Sequence, residues 1–594
     1  MKSKLLVSAL LAASLLRADP APFATVEISS FAQLQKDVAA LGADIGQPMI
    51  SLGLVGMGNF LGSPGMLGID QNKPIRLVFA TENDVLGNRP AVVVPLSEAD
   101  GAGYLKSLSA IAEKAAEANG IATYTFRNFR QNARIHVANG YAVLALEGTV
   151  NETLLTRITA DLAQDATAYS VKGISGTLRA DLSAKFVLPI LERFVRDKLE
   201  SIEDDEDRLA VRASSDKLMD LLRGTSRIAL GLDYTENTGL SLWSRTDALP
   251  DSPLQALFSE FKAPAPELLP YIGGKPAVLS ADGAQGPVSR RLGPIVVSAV
   301  KAILSANPDN PQMAQLLPML SASIDQFDSV PAETVTAARF DDKGRPYSLS
   351  IGLGGNPEKQ IEALLAQHAV ARENASAAED NPIRFGEATT RTLDDLGVTV
   401  HTVPVSIAAD GDSENPILPA CAAYLKDNAF GYEYAVKDGR LYMVIGPSGI
   451  IEKNFAAPEM LPAAPLAEVF PDMKNVDESV VRFTVDYGAL VHDLLVFVNN
   501  AMPEEQKMPA EVLDTLSADP GRVGFLMQAK DNTAVGVFRA TPGLVRSAAS
   551  IVKVFQTMQQ AAIEAAMNEE LEEEDLTDED IENLLKEAEE DDGK

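Results

Sequence analysis

Short stretches of the chain alternate hydrophobic and polar residues, and other stretches repeat apolar residues every three or four positions. Residues 177–182 alternate before an amphipathic run that contains Phe186 and Ile190. Residues 481–487 alternate in the same way before a run that begins at Leu490. Alternation predicts a half-buried strand, and a spacing of three and four predicts an amphipathic helix. The pattern therefore predicts an α+β protein.

Two dipeptides mark tight turns between apolar stretches. Asn139-Gly140 separates two alternating runs, and Asp438-Gly439 separates another two. Both dipeptides favour the type I′ turn, because its two central residues need positive φ. Each dipeptide therefore predicts a β-hairpin.

The same order of predicted elements occurs twice along the chain. A helix over residues 102–118 in the first copy corresponds to a helix over residues 357–375 in the second, and the strands before and after them correspond in order. We interpret this as a tandem duplication of one α+β design. Each copy is predicted to be an antiparallel meander sheet with helices packed on one face.

The boundaries of the two copies follow from composition. The first copy covers residues 24–262, and a Pro-rich linker at 263–270 favours extended backbone. The second copy covers residues 271–560 and carries an insertion near 404–430. This arrangement resembles uncharacterised exported bacterial proteins built from two duplicated α+β domains. The resemblance is one of architecture, without a diagnostic motif, and it implies no activity.

The N-terminus has the pattern of a secretory leader. Lys2 and Lys4 precede twelve apolar or small residues at 5–16, a run too short to span a bilayer comfortably. We interpret residues 1–18 as a cleaved signal peptide; an uncleaved anchor is the alternative. The mature chain is then expected outside the cytoplasm, either periplasmic or secreted, without a stable transmembrane anchor.

Composition narrows the classes of function. The 594 residues carry a formal charge of −32, which argues against a nucleic-acid binder, because phosphate binding needs clustered Lys and Arg.

A tail at residues 561–594 is strongly acidic and is predicted to be a helical or disordered solvated segment. The single cysteine, Cys421, excludes an intramolecular disulfide framework.

No motif in the chain carries recognisable chemistry. The four histidines, His136, His368, His401 and His492, are far apart and form no HExxH pattern, and no GxSxG sequence is present. The acidic clusters at 204–207 and 341–342 lack the spacing of a calcium loop. We therefore expect no catalytic residue, no metal ligand and no cofactor.

A glycine-rich apolar segment, LGLVGMGNFLGSPGMLG at residues 52–68, stands out from the rest of the chain. It lacks an intact GxGxxG motif, so the sequence does not favour a phosphate-binding role. The remaining interpretations are a buried packing segment and an exposed apolar flap. The residues of the possible apolar contact are Gly56, Met57, Gly58, Phe60, Gly62 and Met66.

These observations leave three hypotheses for the function. The first is an exported, non-catalytic binding or interaction protein whose partner is a protein or a small apolar ligand. The second is a carrier that holds an apolar ligand between a sheet and its helices. The third is a hydrolase with its site between the two halves, which would need ionisable residues clustered in one cleft.

Overall fold

The fold combines one very large antiparallel sheet with helices, and it is described here from a computed structural model. The described residues are 23–79, 90–127, 132–146, 152–200, 205–265, 268, 277–305, 327, 329–341, 345–377, 382–408, 417–456, 468–490, 521–547 and 549. The predicted leader, the acidic tail and half of the predicted linker lie outside these residues.

The first half of the chain contains ten strands and seven α-helices among the described residues. Its strands are β1 (Ala24–Ile28), β2 (Ile75–Phe79), β3 (Ala91–Pro95), β4 (Ala112–Ala118), β5 (Ile121–Phe126), β6 (Asn132–Ala138), β7 (Tyr141–Leu146), β8 (Leu178–Ser183), β9 (Thr225–Thr235) and β10 (Gly239–Ala248). Its helices are α1 (Phe31–Asp44), α2 (Met57–Phe60), α3 (Ala102–Leu108), α4 (Glu152–Gln164), α5 (Ala184–Glu200), α6 (Asp205–Arg223) and α7 (Pro253–Glu260). Two 3-10 helices, Pro48–Gly56 and Pro64–Met66, flank α2.

We name eleven strands and four α-helices in the second half, among the described residues. Its strands are β11 (Val278–Asp282), β12 (Glu333–Phe340), β13 (Pro346–Leu353), β14 (Ile383–Phe385), β15 (Thr389–Leu393), β16 (Val398–Ile407), β17 (Phe430–Lys437), β18 (Arg440–Pro447), β19 (Val481–Asp486), β20 (Arg522–Lys530) and β21 (Thr533–Ala540). Its helices are α8 (Gln285–Ser305), α9 (Pro357–Ala377), α10 (Ile417–Asp427) and α11 (Ile450–Ala456), with a 3-10 turn at Val476–Glu478. The α+β class predicted from the sequence is confirmed.

The two halves pair their strands in the same order, and every pairing among the described strands is antiparallel. The first half runs β10-β9-β8-β1-β2-β3-β7-β6-β5-β4. The second half runs β21-β20-β19-β11-β12-β13-β18-β17-β16-β15, with β14 added against the far end of β16. The last strands of the two halves, β10 and β21, pair with each other and join the halves.

Helices cover both faces of the sheet, whereas the sequence had suggested one face. On the face that carries Leu232, α1 and α3 bury Ile75 and Leu144 in a core that includes Phe31. On the opposite face, which carries Arg76, α4 packs on Val93. Adjacent residues of a strand point to opposite faces, so a strand that is apolar at consecutive positions, as β3 is, buries side chains on both sides.

The helix predicted over residues 102–118 is only half correct. Residues after α3 leave the helix and form β4, which pairs with β5 at the edge of the sheet. Most side chains of β4 are exposed, and its Ala-Glu-Lys composition resembles that of a surface helix. Pairing with β5 overrides this local helical preference.

Candidate apolar contact surfaces

The glycine-rich segment lies between α1 and β2 and folds into short turns rather than one helix. Pro48 and Pro64 each begin a 3-10 turn, where a missing backbone N–H costs nothing. Gly62, Gly65 and Gly68 have φ values of 77°, 67° and 74°, the left-handed region that favours glycine. Frequent glycines therefore allow the chain to reverse direction repeatedly within a few residues.

One side of the segment is anchored in the first-half core. Leu61, Met66 and Ile69 are buried in the cluster that also contains Tyr104. The Tyr104 hydroxyl donates to the carbonyl of Leu61 at 2.9 Å, and burial raises the pKa of that phenol. The Ser63 hydroxyl adds a second anchor, because it lies 3.0 Å from the Ser107 hydroxyl of α3 and also donates to the carbonyl of Leu67 at 2.6 Å. These contacts fix the segment on the sheet.

The same segment also exposes large apolar side chains. Phe60 is 79% exposed, Met49 is 69% exposed and Leu67 is 64% exposed. Ile50 and Leu52 are exposed as well. Of the residues selected from the sequence, Gly58, Gly62 and Met66 are buried, Met57 is intermediate, and Gly56 and Phe60 are exposed. We call Met49, Ile50, Leu52, Phe60 and Leu67 the apolar tip.

The apolar tip lies on a stretch without charge. Residues 45–69 include no Asp, Glu, Lys or Arg, although charged residues make up 23% of the chain. Asp44 precedes this stretch and pairs with Arg546 at 3.1 Å, and Asp70 follows it and pairs with Lys73 at 3.0 Å. The carboxylates that border the uncharged stretch are thus partly neutralised.

A second apolar surface crosses the junction between the halves on the Leu232 face. Successive cross-strand partners on β8, β9, β10 and β21 form a row made of Leu178, Leu232, Leu242 and Phe538. These four side chains are between 38% and 45% exposed. At a strand spacing of about 4.8 Å, the row is roughly 14 Å long. We call it the junction row; sequence reasoning did not single it out.

The opposite face of the junction is polar, with Arg539 and Ser241 buried and Asp472 half exposed. The Arg539 guanidinium donates to Asp472 at 3.1 Å and to the Ser241 hydroxyl of the neighbouring half at 3.1 Å. The hydrogen bond from Arg539 lowers the pKa of Asp472. Asp233, on β9, lies directly opposite Ser241 of β10, and burial raises the pKa of its carboxyl group. This network ties the two halves together beneath the junction row.

Two of the three histidines within the described residues are held by structural contacts. His368 hydrogen bonds to the Tyr434 hydroxyl at 2.6 Å, its ring centre lies 4.5 Å from that of Tyr432, and burial lowers its pKa. His136 contacts the carbonyl of Gly120 at 2.9 Å. His401, on β16, lies opposite Tyr434 of β17 in the strand register. His492 lies outside the described residues.

Among the described residues, no group of three or more His, Cys, Asp or Glu is arranged to hold a metal ion. Cys421 belongs to α10, but its side chain is not among those described. A cavity of about 480 Å³ lies between α5 and α6, away from the glycine-rich segment. Its lining mixes Leu199 and Leu209 with charged residues such as Arg212 and Glu192.

Within the described part of the chain, no helix combines the length and apolar character needed to cross a membrane. Neither the protein-family models nor the curated proteins include a match to this chain. A solved structure described as crystal form I of TP0453 is similar over 48% of this chain and 96% of its own, at 8% identity and a TM-score of 0.19. Similarity at that level supports no argument about fold or function.

Proposed function

We propose that this protein is an exported, non-catalytic binding protein that contacts an apolar partner through the apolar tip. The observation that carries the proposal is that the glycine-rich segment is anchored by buried residues while it exposes large apolar side chains. Leu61 and Met66 anchor the segment in the core, while Phe60 and Met49 project into solvent. Exposed apolar clusters on an anchored base are typical of contact surfaces.

Burial of the tip would supply useful binding energy. Full burial of a Phe, Leu or Met side chain contributes roughly 1.5–3 kcal/mol. The five tip residues could therefore offset much of the entropy lost on association. Because the segment is held by hydrogen bonds to Leu61 and from Ser63, little further ordering is needed on binding.

The wider organisation in this proposal is a tandem duplication of one α+β unit. It is supported by the identical strand order in the two halves and by their joining through equivalent last strands. The extracytoplasmic location in the proposal is supported by the leader-like sequence at residues 1–18.

The proposal is tested by retention on octyl-agarose at moderate salt. A Leu52→Ser/Phe60→Ser variant should elute earlier than the wild type, because two exposed apolar side chains of the tip are removed. Leu396→Ser is the matched control, since Leu396 is an exposed leucine in a turn of the second half. Unchanged elution of the tip variant would contradict the proposal.

The junction row supports a second candidate function, that of a carrier for an apolar ligand. Leu232, Leu242 and Phe538 present a continuous apolar strip between elements of the two halves. Equilibrium dialysis against a labelled long-chain fatty acid tests this candidate. Saturable binding with one or a few sites per chain would support it, and the absence of saturable binding would exclude such ligands.

A further inference from the structure

We infer that the partner of the apolar tip is the surface of a lipid bilayer composed mainly of zwitterionic lipids. This inference rests on the proposed function and deepens it by naming the chemistry of the partner. In this arrangement Met49, Leu52 and Phe60 enter the boundary between headgroups and acyl chains, and the body of the protein stays outside. The attachment is peripheral and reversible.

The backbone of the segment is suited to a medium poor in water. Peptide groups that enter the apolar part of a bilayer must find hydrogen-bond partners within the protein. The amide of Leu61 donates to the carbonyl of Met57 at 3.1 Å, and that of Ser63 donates to the carbonyl of Gly58 at 2.7 Å. The amide of Ile50 likewise donates to the carbonyl of Gln47 at 3.0 Å. The turns thus satisfy many of their own polar groups.

The shape of the tip favours a deformable layer over a folded partner with a fixed pocket. A Cβ atom built on Gly53, Gly56 or Gly65 would meet no atom within 4 Å, so these positions face open space. Phe60 projects from a four-residue helix instead of lining a groove. Acyl chains can close around such a protrusion without a complementary cleft.

The charge of the protein determines which type of lipid it is expected to bind. No basic side chain occurs within residues 45–69, so the segment offers no attraction to anionic headgroups. The whole chain carries −32, and an anionic surface would repel it. We therefore expect binding to zwitterionic vesicles, and weaker binding as anionic lipid is added at low salt.

The inference is tested by co-sedimentation of the mature chain, residues 19–594, with phosphatidylcholine vesicles, because the apolar leader would bind vesicles by itself. The wild type should sediment with the vesicles, and Phe60→Ser should reduce the partition coefficient about tenfold, because the transfer of one large side chain is lost. Met49→Ser should also reduce the partition coefficient, while Leu396→Ser should bind the vesicles like the wild type. Circular dichroism of each variant verifies that the fold is retained.

The lipid dependence supplies a second arm of the test. Replacing a third of the phosphatidylcholine by phosphatidylglycerol should lower binding at low ionic strength, and added salt should restore it as charges are screened. Stronger binding to the anionic vesicles, or equal binding by Phe60→Ser and wild type, would overturn the inference.

Failure of the inference and failure of the proposed function give different results. If the wild type stays in solution with phosphatidylcholine vesicles but retention on octyl-agarose still depends on Phe60, the lipid inference is wrong and the proposed apolar contact survives. If neither the vesicles nor the octyl matrix distinguishes the tip variants from Leu396→Ser, both are wrong.

Discussion

Leu242 lies directly opposite Phe538 across the pair of strands that joins the two halves of the protein. Leu242 lies on the last strand of one half of the sheet and Phe538 on the last strand of the other. The apolar strip between them therefore exists only when the halves are joined. Both side chains remain partly exposed on the face of Leu232. Any ligand that covers this pair contacts both halves at once.

Replacing Leu242 by threonine should weaken the binding of a long-chain fatty acid without unfolding the protein. Leu242 is 45% exposed, and threonine is well suited to a strand, so we expect a change in stability below about 1 kcal/mol. Loss of the apolar contact should lower the affinity by about tenfold. Titration with a fluorescent fatty acid measures this change in affinity.

Ile445→Thr is the control for this experiment. Ile445 is 41% exposed and lies on β18, far along the sheet from the junction. Equal loss of affinity in the Leu242 and Ile445 variants would mean that the junction row is not the ligand site.

Local signals in the sequence predicted the hairpins correctly. Asn139 and Gly140 both have positive φ between β6 and β7, and Asp438 and Gly439 do so between β17 and β18. This backbone conformation depends on the dipeptide itself, so it could be read without knowledge of the rest of the fold. The α+β class followed from the same kind of short-range pattern.

Other features depend on contacts that are distant in the sequence. β1 pairs with β8, and β4 replaces a predicted helix because β5 lies beside it. The exposure of Leu242 and Phe60 is equally non-local, because it depends on which elements leave those side chains uncovered. The sequence therefore indicated the glycine-rich segment as unusual but could not decide which of its side chains face solvent.

Alanine substitutions should separate the structural glycines of the segment from the exposed ones. At Gly62 a Cβ atom would lie 2.6 Å from the Tyr104 hydroxyl oxygen at a φ of 77°, and at Gly68 it would collide with the backbone of Tyr104. The left-handed backbone alone costs about 1–3 kcal/mol for a non-glycine residue. Gly62→Ala and Gly68→Ala should therefore lower the midpoint of thermal unfolding clearly.

Gly53→Ala is the matched control in the same segment. An alanine Cβ at Gly53 meets no atom within 4 Å, and the backbone there is not in the left-handed region. Its midpoint of unfolding should stay within error of the wild type. A control as destabilised as Gly68→Ala would show that the segment does not have the conformation described.

Removing the carboxylate of Asp472 should destabilise the junction by about 2 kcal/mol, because the buried Arg539 guanidinium loses its counter-ion. Asp220→Asn is the control: Asp220 pairs with Arg223 at the surface, where such pairs contribute less than about 1 kcal/mol. Urea denaturation at pH 7 compares the two variants.

The same pair gives a dependence on pH with a definite sign. The folded state lowers the pKa of Asp472, so its stabilising contribution is present above the unfolded pKa of about 3.9 and is lost as pH falls through the folded value. The difference between wild type and Asp472→Asn should therefore be constant near neutral pH and shrink in acid. A difference that grows in acid would contradict this assignment.

Asp233 should show the opposite behaviour, because burial raises its pKa in the folded state. A raised pKa means that folding favours the protonated acid, so its contribution to stability is fully present below the unfolded pKa of about 3.9 and is lost as pH rises through the folded value. Asp233→Asn removes the ionisable group and should therefore stabilise the protein at pH 7. The gain should fade as the pH is lowered toward 4, which urea denaturation at a series of pH values measures. Destabilisation by Asp233→Asn at pH 7 would mean that the ionised carboxylate is favoured at this position, through its attraction to Arg539.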